Sequence, residues 1–195
     1  MMQQIIISGV GGQGILFITR LLAETALEMG FSVLISETHG MAQRGGNVVS
    51  HLKVSSPADD KAADSPRPFV SPLIRPGRAD LLLAMHPDGE AAHGYYLKAG
   101  GVTISNRPNS SNPSALDAGR VALDLGSPVS ANLALLGFAA GSGALFCPPE
   151  QVRTTLERFG GRRIELSLKA YEAGWDEARR RLAGGVPHSS GGSAA

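Results

Sequence analysis

One cysteine stands in the 195 residues, Cys147. It cannot close an intramolecular disulfide, and alone it falls short of the several thiolates that an iron–sulfur cluster or a structural zinc requires. Neither charge is in excess: 18 basic against 17 acidic residues leave a net charge of +1, so no overall cationic field draws the chain onto nucleic acid or an anionic membrane surface. The densest basic group, Arg179 to Arg181, reads as a solvated helix face. Long apolar runs are missing too. Nothing approaches the roughly 20 uninterrupted apolar residues of a membrane span, and the N-terminus leads straight into a strand pattern in place of a charged segment and cleavage site. These absences predict a cytoplasmic protein without a nucleic-acid or membrane partner.

What is present is an alternation of strands and helices. Gln4 to Ser8 reads as a fully buried strand, and Ile15, Ile18, Leu22, Ala26 and Met29 carry helical spacing up to a terminator at Gly30. Phe31 to Ser36 reads as a second buried strand, which completes a unit of the length a parallel crossover needs. Asn47 to Val54 places His51 and Lys53 on one face and is predicted to be edge-like. Ser55 to Arg78 holds five of the twelve prolines and is expected to be a long surface loop.

Further along, strands are expected at Ala79 to Met85 and Val102 to Asn106, around a short helix from Pro87 and Asp88 to Gly100 and Gly101. "RVALDL" (Arg120 to Leu125) is a sixth strand candidate, and Ala131 to Phe146 reads as a buried, Ala- and Gly-rich helix. Two amphipathic helices follow, Pro149 to Phe159 and Glu165 to Leu182. The prediction is a single α/β domain over residues 1–183: a Rossmann-like, mainly parallel sheet with helices on both faces. The tail 184–195 is expected to be disordered.

The stretch "IIISGVGGQGILFITRLLAE" is the first functional signal. Gly9, Gly11 and Gly14 fit G-x-G-x-x-G between a strand and a helix, and Glu37 follows where a ribose-binding acid belongs. Glycine allows a tight turn and close approach of phosphates to free N–H groups at the helix start. The same glycines also serve close packing of helix on strand, and the stretch alone leaves both readings open. "SETHGMAQRGGNVVSH" then carries His39, Gln43 and Arg44 among Gly40, Gly45 and Gly46. That density of polar groups and free backbone reads as a recognition surface.

"GVGGQGI" followed by "ETHGMAQRGG" resembles the gamma-type domain of the 2-oxoacid:ferredoxin oxidoreductases, and the form "HGMAQRGG" resembles the indolepyruvate type in particular. The resemblance continues through "SPLIRPGRADLLLA", "SANLALLG" and "SLKAYEAG", nearly to the tail. "MHPDGEAAHGYY" departs from it in being less acidic.

Enzymes of that family decarboxylate a 2-oxoacid on thiamine diphosphate, pass electrons through iron–sulfur clusters to ferredoxin, and release an acyl-coenzyme A. The resemblance implies a small subunit of a heteromer that converts indolepyruvate or other aryl pyruvates and coenzyme A to an aryl-acetyl-coenzyme A, CO2 and reduced ferredoxin. This chain has no G-D-G signature with paired asparagines, so thiamine diphosphate, Mg2+ and the clusters are expected on a larger partner subunit. No catalytic residue and no metal ligand are assigned here.

Within such an assembly, Gly9, Gly11, Gly12, Gln13, Gly14 and Arg44 are expected to meet the phosphates of coenzyme A or to line the partner's active site. Glu37, His39, Gly40, Met41, Gln43, Gly45, Gly46 and Asn132 are expected at the interface or in its loop. His39 is read as ordering that loop by a hydrogen bond, Asn132 as a cap or buried anchor, and Cys147 as an inert buried thiol. Two other classes stay in play: a free-standing NAD(P)-binding oxidoreductase with Glu37 on the ribose, and a scaffold whose glycines serve packing alone.

Overall fold

The computed structural model describes residues 1–39, 46–57, 71–159, 161 and 163–184. One six-stranded sheet organises them. Its strands are β1 (Met2–Val10), β2 (Ser32–His39), β3 (Asn47–Ser55), β4 (Ala79–Ala84), β5 (Leu97–Asn106) and β6 (Ala115–Leu116), in the order β2-β3-β1-β4-β5-β6. β1, β4, β5 and β6 pair in parallel, while β3 runs antiparallel to both β1 and β2. The sheet is therefore mainly parallel, as expected.

The helices are α1 (Ile15–Glu28), α2 (Gly89–His93), α3 (Ala118–Asp124), α4 (Ala131–Gly141), α5 (Pro149–Phe159) and α6 (Ile164–Gly184). They cover the two faces unequally. Alternate residues of a strand face opposite sides, so Ile5 and Ile7 join Leu52, Leu81 and Leu83 in the main core with α1 and α3 to α6. Ile6, Leu82 and Ala84 join Ile74 and Ala79 in a smaller cluster on the other side, where Gly89 of α2 sits against Ala84 and Ser8. No helix among the described residues is long and apolar enough to cross a membrane.

α1 ends as its sequence predicts: Gly30 takes φ +75°, and the Phe31 N–H donates back to the Ala26 carbonyl at 2.9 Å. Four expectations need correction. β2 is the edge and β3 lies inside the sheet. An apolar run does not distinguish these cases, and Ile35 of β2 is 37% exposed whereas His51 of β3 is 2% exposed. His51 is tolerated there because its Nδ1 accepts the Ile74 N–H at 3.2 Å and its ring meets Tyr96 edge-on.

"RVALDL" belongs to helix α3, and the sixth strand is Ala115–Leu116. Asp117 caps that helix by accepting the Arg120 N–H at 2.9 Å, and Ala118 and Ala122, four residues apart, face the core. The helix after β4 stops at His93. Gly100 and Gly101 lie within β5, where the register against β4 slips between Ala79 and Leu81. α4 ends at Gly141, short of Phe146, because Gly143 turns left-handed at φ +73°. Most of the proline-rich loop (58–70) and nearly all of the predicted tail (185–195) lie outside the described residues.

Candidate functional site

Strand order locates the site. From β1 the chain crosses through α1 to the β2 side of the sheet, and from β4 it crosses through α2 to the β5 side. The crossovers part between β1 and β4, and in open α/β sheets the crevice beyond the strand carboxyl ends at such a switch point is where ligands bind. The glycine turn, residues 11–14, occupies that position.

The turn's glycines do different work. A methyl group at Gly9 would lie 2.6 Å from both Gln13 Oε1 and Ile15 Cδ1, so this glycine serves packing. Gly12, exposed at φ +101°, and Gly14, at φ +77°, hold left-handed backbone that favours glycine. A Cβ on Gly14 would collide with Asn132 Nδ2 at the start of α4. Toward β3, the Gly11 N–H donates to the Gly46 carbonyl at 2.9 Å.

Gln13 bridges the switch point. Its Oε1 accepts the Val10 N–H at 2.9 Å, and its Nε2 donates to the Met85 carbonyl at 3.3 Å. Asn106, the last residue of β5, donates to that same carbonyl from Nδ2 at 3.2 Å and accepts the Ala118 N–H on Oδ1 at 3.0 Å. The tips of β1, β4 and β5 are thus tied together by two carboxamides. Between them and the start of α4 opens a crevice of about 300 Å³, bordered by Gly12, Gln13, Asn106 and Asn132. Asn106, Met85 and Val129 at its border were not picked out in the sequence. The available signal was position: the last residue of a parallel strand points into the crevice region.

Of the remaining predicted residues, Asn132 is at this crevice and its Oδ1 accepts the Leu133 N–H at 2.8 Å. Gly46 touches the turn through Gly11. Gly40, Met41, Gln43, Arg44 and Gly45 lie outside the described residues. Glu37 and His39 belong to β2. Glu37 pairs with Ser50, which pairs with Ile7. Glu37 is therefore two strand spacings, about 10 Å, from β1, level with Ile7 and before the glycine turn. In a dinucleotide fold the ribose-binding acid ends the strand next to β1; here β3 occupies that place.

Burial shifts several titratable groups near the sheet toward their neutral forms. Burial pulls His51 below the ordinary imidazole value, with the charges of Lys53 and His93 adding to it, and burial does the same to His93. Burial pushes the Cys147 thiol up to about 12. Among the described residues no group of three or more His, Cys, Asp or Glu could hold a metal ion. With a single, buried, protonated cysteine, the donors among the described residues do not fit a cluster or a magnesium-bound diphosphate.

Comparison with known proteins agrees with this architecture. Residues 4–177 match the family described as pyruvate ferredoxin/flavodoxin oxidoreductase. The chain is 27% identical over 206 residues to the indolepyruvate oxidoreductase subunit IorB of Pyrococcus horikoshii, spanning 91% of this chain and 96% of that one. It shares its fold with the gamma subunit of a keto/oxoacid ferredoxin oxidoreductase from Geobacter sulfurreducens, at TM-score 0.68 and 24% identity over 91% of this chain and 99% of the other. The fold also recurs in a 2-oxoglutarate:ferredoxin oxidoreductase from Magnetococcus marinus, solved with 2-oxoglutarate, coenzyme A and succinyl-CoA bound. That likeness has a TM-score of 0.70 at 16% identity and spans 92% of this chain but 31% of the longer one.

Proposed function

The chain belongs to the pyruvate ferredoxin/flavodoxin oxidoreductase family, as a small subunit of a 2-oxoacid:ferredoxin oxidoreductase, and we propose that its substrate class is indolepyruvate and related aryl pyruvates. The support is the motif "HGMAQRGG" together with relatives named for indolepyruvate along nearly their whole length. The proposed partner is a large subunit that carries thiamine diphosphate, Mg2+ and the iron–sulfur clusters and passes electrons to ferredoxin. The proposed compartment is the cytoplasm.

In this reading the chain contributes a wall. The observation that carries it is the preformed crevice at the glycine turn, braced by Gln13 and Asn106 and free of any nucleophile or general base among its described lining residues. Such a surface binds and orients; it does not break bonds. We assign it to coenzyme A, with the phosphates taken by the backbone of Gly12 and Gly14 and by Arg44, the Gly11 N–H being held by the Gly46 carbonyl.

A free-standing NAD(P) enzyme fits poorly, since β3 separates Glu37 from β1. The scaffold reading draws on Gly9 and Gln13, whose freedom and polar atoms are used internally. Co-expression with the large subunit and titration of coenzyme A into the complex tests the assignment. Saturable binding that weakens when Gly12 is replaced supports it; unchanged affinity leaves only the scaffold.

A further inference from the structure

β2 closes one side of the sheet, and among the described residues it pairs with β3 alone. Exposed sheet edges are ordinarily blunted by a proline, a lysine, a bulge or a very short strand. β2 has none of these: it is eight residues long, it runs against β3 without a break in register, and Ser32 to Ser36 carries no charge.

Alongside it lies an apolar groove of about 340 Å³ between α1, β2 and the end of α5. Ala23 and Leu27 line it from α1, Val33 and Ile35 from β2, and Phe159 from α5. Leu27 is 53% and Phe159 40% exposed, and Phe159 meets Phe17 edge-on beside the groove. Large apolar side chains gathered at a solvent-facing edge mark a surface that a partner covers.

Two features say which partner. The strand is self-complementary: "SVLIS" reads nearly the same from both ends, so antiparallel pairing about Leu34 sets Ser32 against Ser36, Val33 against Ile35 and Leu34 against Leu34 of a second copy. The charges are complementary as well. Arg20 and Glu24 are exposed, border the same groove and stand one turn apart on α1. In that order, basic before acidic, attraction within one helix is the weaker one, and among the described residues neither has an ion-pair partner. A two-fold axis through Leu34, perpendicular to the joined sheet, lays the two α1 helices antiparallel on the same side of it and turns Arg20 of each copy toward Glu24 of the other.

We propose that this chain forms a symmetric dimer through its β2 edge, which joins two six-stranded sheets into one of twelve and covers both grooves, with reciprocal Arg20–Glu24 pairs beside the seam. The groove shares no lining residue with the crevice at the glycine turn, so the dimer and the coenzyme A assignment stand or fall separately.

Sedimentation equilibrium of the purified chain tests this. The wild type is expected to be a dimer at low micromolar concentration and Ile35→Lys a monomer. Ile35 is exposed and lysine is at home on an edge strand, so the variant keeps its fold, which circular dichroism checks. Arg20→Glu and Glu24→Arg are each expected to weaken the dimer several-fold at low salt, because two like-charged pairs then face each other across the axis. An equimolar mixture of those two variants is expected to recover it, since both pairs in the mixed dimer are opposite in sign. A monomeric wild type overturns the inference, as does a dimer that Ile35→Lys leaves intact or a mixture that associates no more tightly than its components. Hydrogen exchange along β2 that slows only when the large subunit is added would give this edge to that subunit and likewise overturn the inference.

Discussion

Gly137 of α4 and Gly174 of α6 lie where the two helices cross, each with its α-carbon against the other helix's backbone. A Cβ on Gly137 would overlap the Tyr171 carbonyl oxygen, and one on Gly174 the Ala134 carbonyl oxygen. Backbone, unlike a side-chain tip, cannot move aside alone. The close crossing buries Tyr171 completely, with its hydroxyl donating to the Pro149 carbonyl at 2.9 Å, and holds α4 with Asn132 at its start.

Helix propensity alone would make alanine stabilising at both positions by about 1 kcal/mol. Overpacking against backbone outweighs that, so Gly137→Ala and Gly174→Ala are each expected to destabilise by ~3 kcal/mol in urea unfolding. Gly94→Ala, where a Cβ meets nothing within 4 Å at φ −57°, is the control and is expected to be neutral or slightly stabilising.

Gln13→Leu removes both bridging hydrogen bonds and leaves the Val10 N–H without its acceptor. The expected loss is about 1–3 kcal/mol, with faster amide hydrogen exchange at Val10 in the native protein. Unchanged protection at Val10 would show that the bridge is dispensable to the turn.

His51 gives a pH dependence of definite sign. Its folded-state pKa lies below the unfolded value of about 6.5, so the unfolded chain binds the proton more readily. Its contribution to stability is fully present above about pH 6.5 and declines as pH falls below that, levelling off under the folded pKa. Lys53, His93, Tyr96 and the Ile74 N–H are the groups around it. His51→Asn retains an acceptor and removes the titration; its acid-side decline is expected to be shallower than wild type's. An equally steep decline would assign it elsewhere, His93 being next in line.

Arg44→Ala tests the phosphate half of the assignment. In the assembled complex the KM for coenzyme A is expected to rise about tenfold at low salt, and by less as ionic strength screens the pairing. A salt-independent change, or none, would separate Arg44 from the phosphates.

The sequence disclosed the parts of this architecture that rest on local pattern. The Ile15 to Met29 periodicity with Gly30 at its end, and Pro149–Phe159, appear at those positions. What escaped it depends on pairing between distant segments, or on a cap just outside the run. The apolar run of Phe31 to Ser36 looks interior until β3 is inserted beside β1, and "RVALDL" looks like a strand until the Asp117 cap is weighed. At the site, the glycine turn is legible from its spacing; Asn132, expected as a cap or buried anchor, is half-buried and among the described residues its Oδ1 meets only the adjacent Leu133 N–H. Asn106 and Val129 were not legible, because nothing in their immediate neighbours tells that β5 and the segment before α4 converge on that turn. Gln13 reads as a ligand from its motif, and in the fold its Oε1 and one Nε2 N–H brace Val10 and Met85.

On the proposed function, this chain builds a coenzyme A wall for chemistry carried by a partner. Ferredoxin reduction with indolepyruvate and coenzyme A, measured for this chain alone, for the large subunit alone and for the two combined, tests it most directly. Turnover is predicted for the combination and none for this chain by itself. Reduction of an acceptor by this chain alone, or a combination whose rate does not depend on this chain, would contradict it.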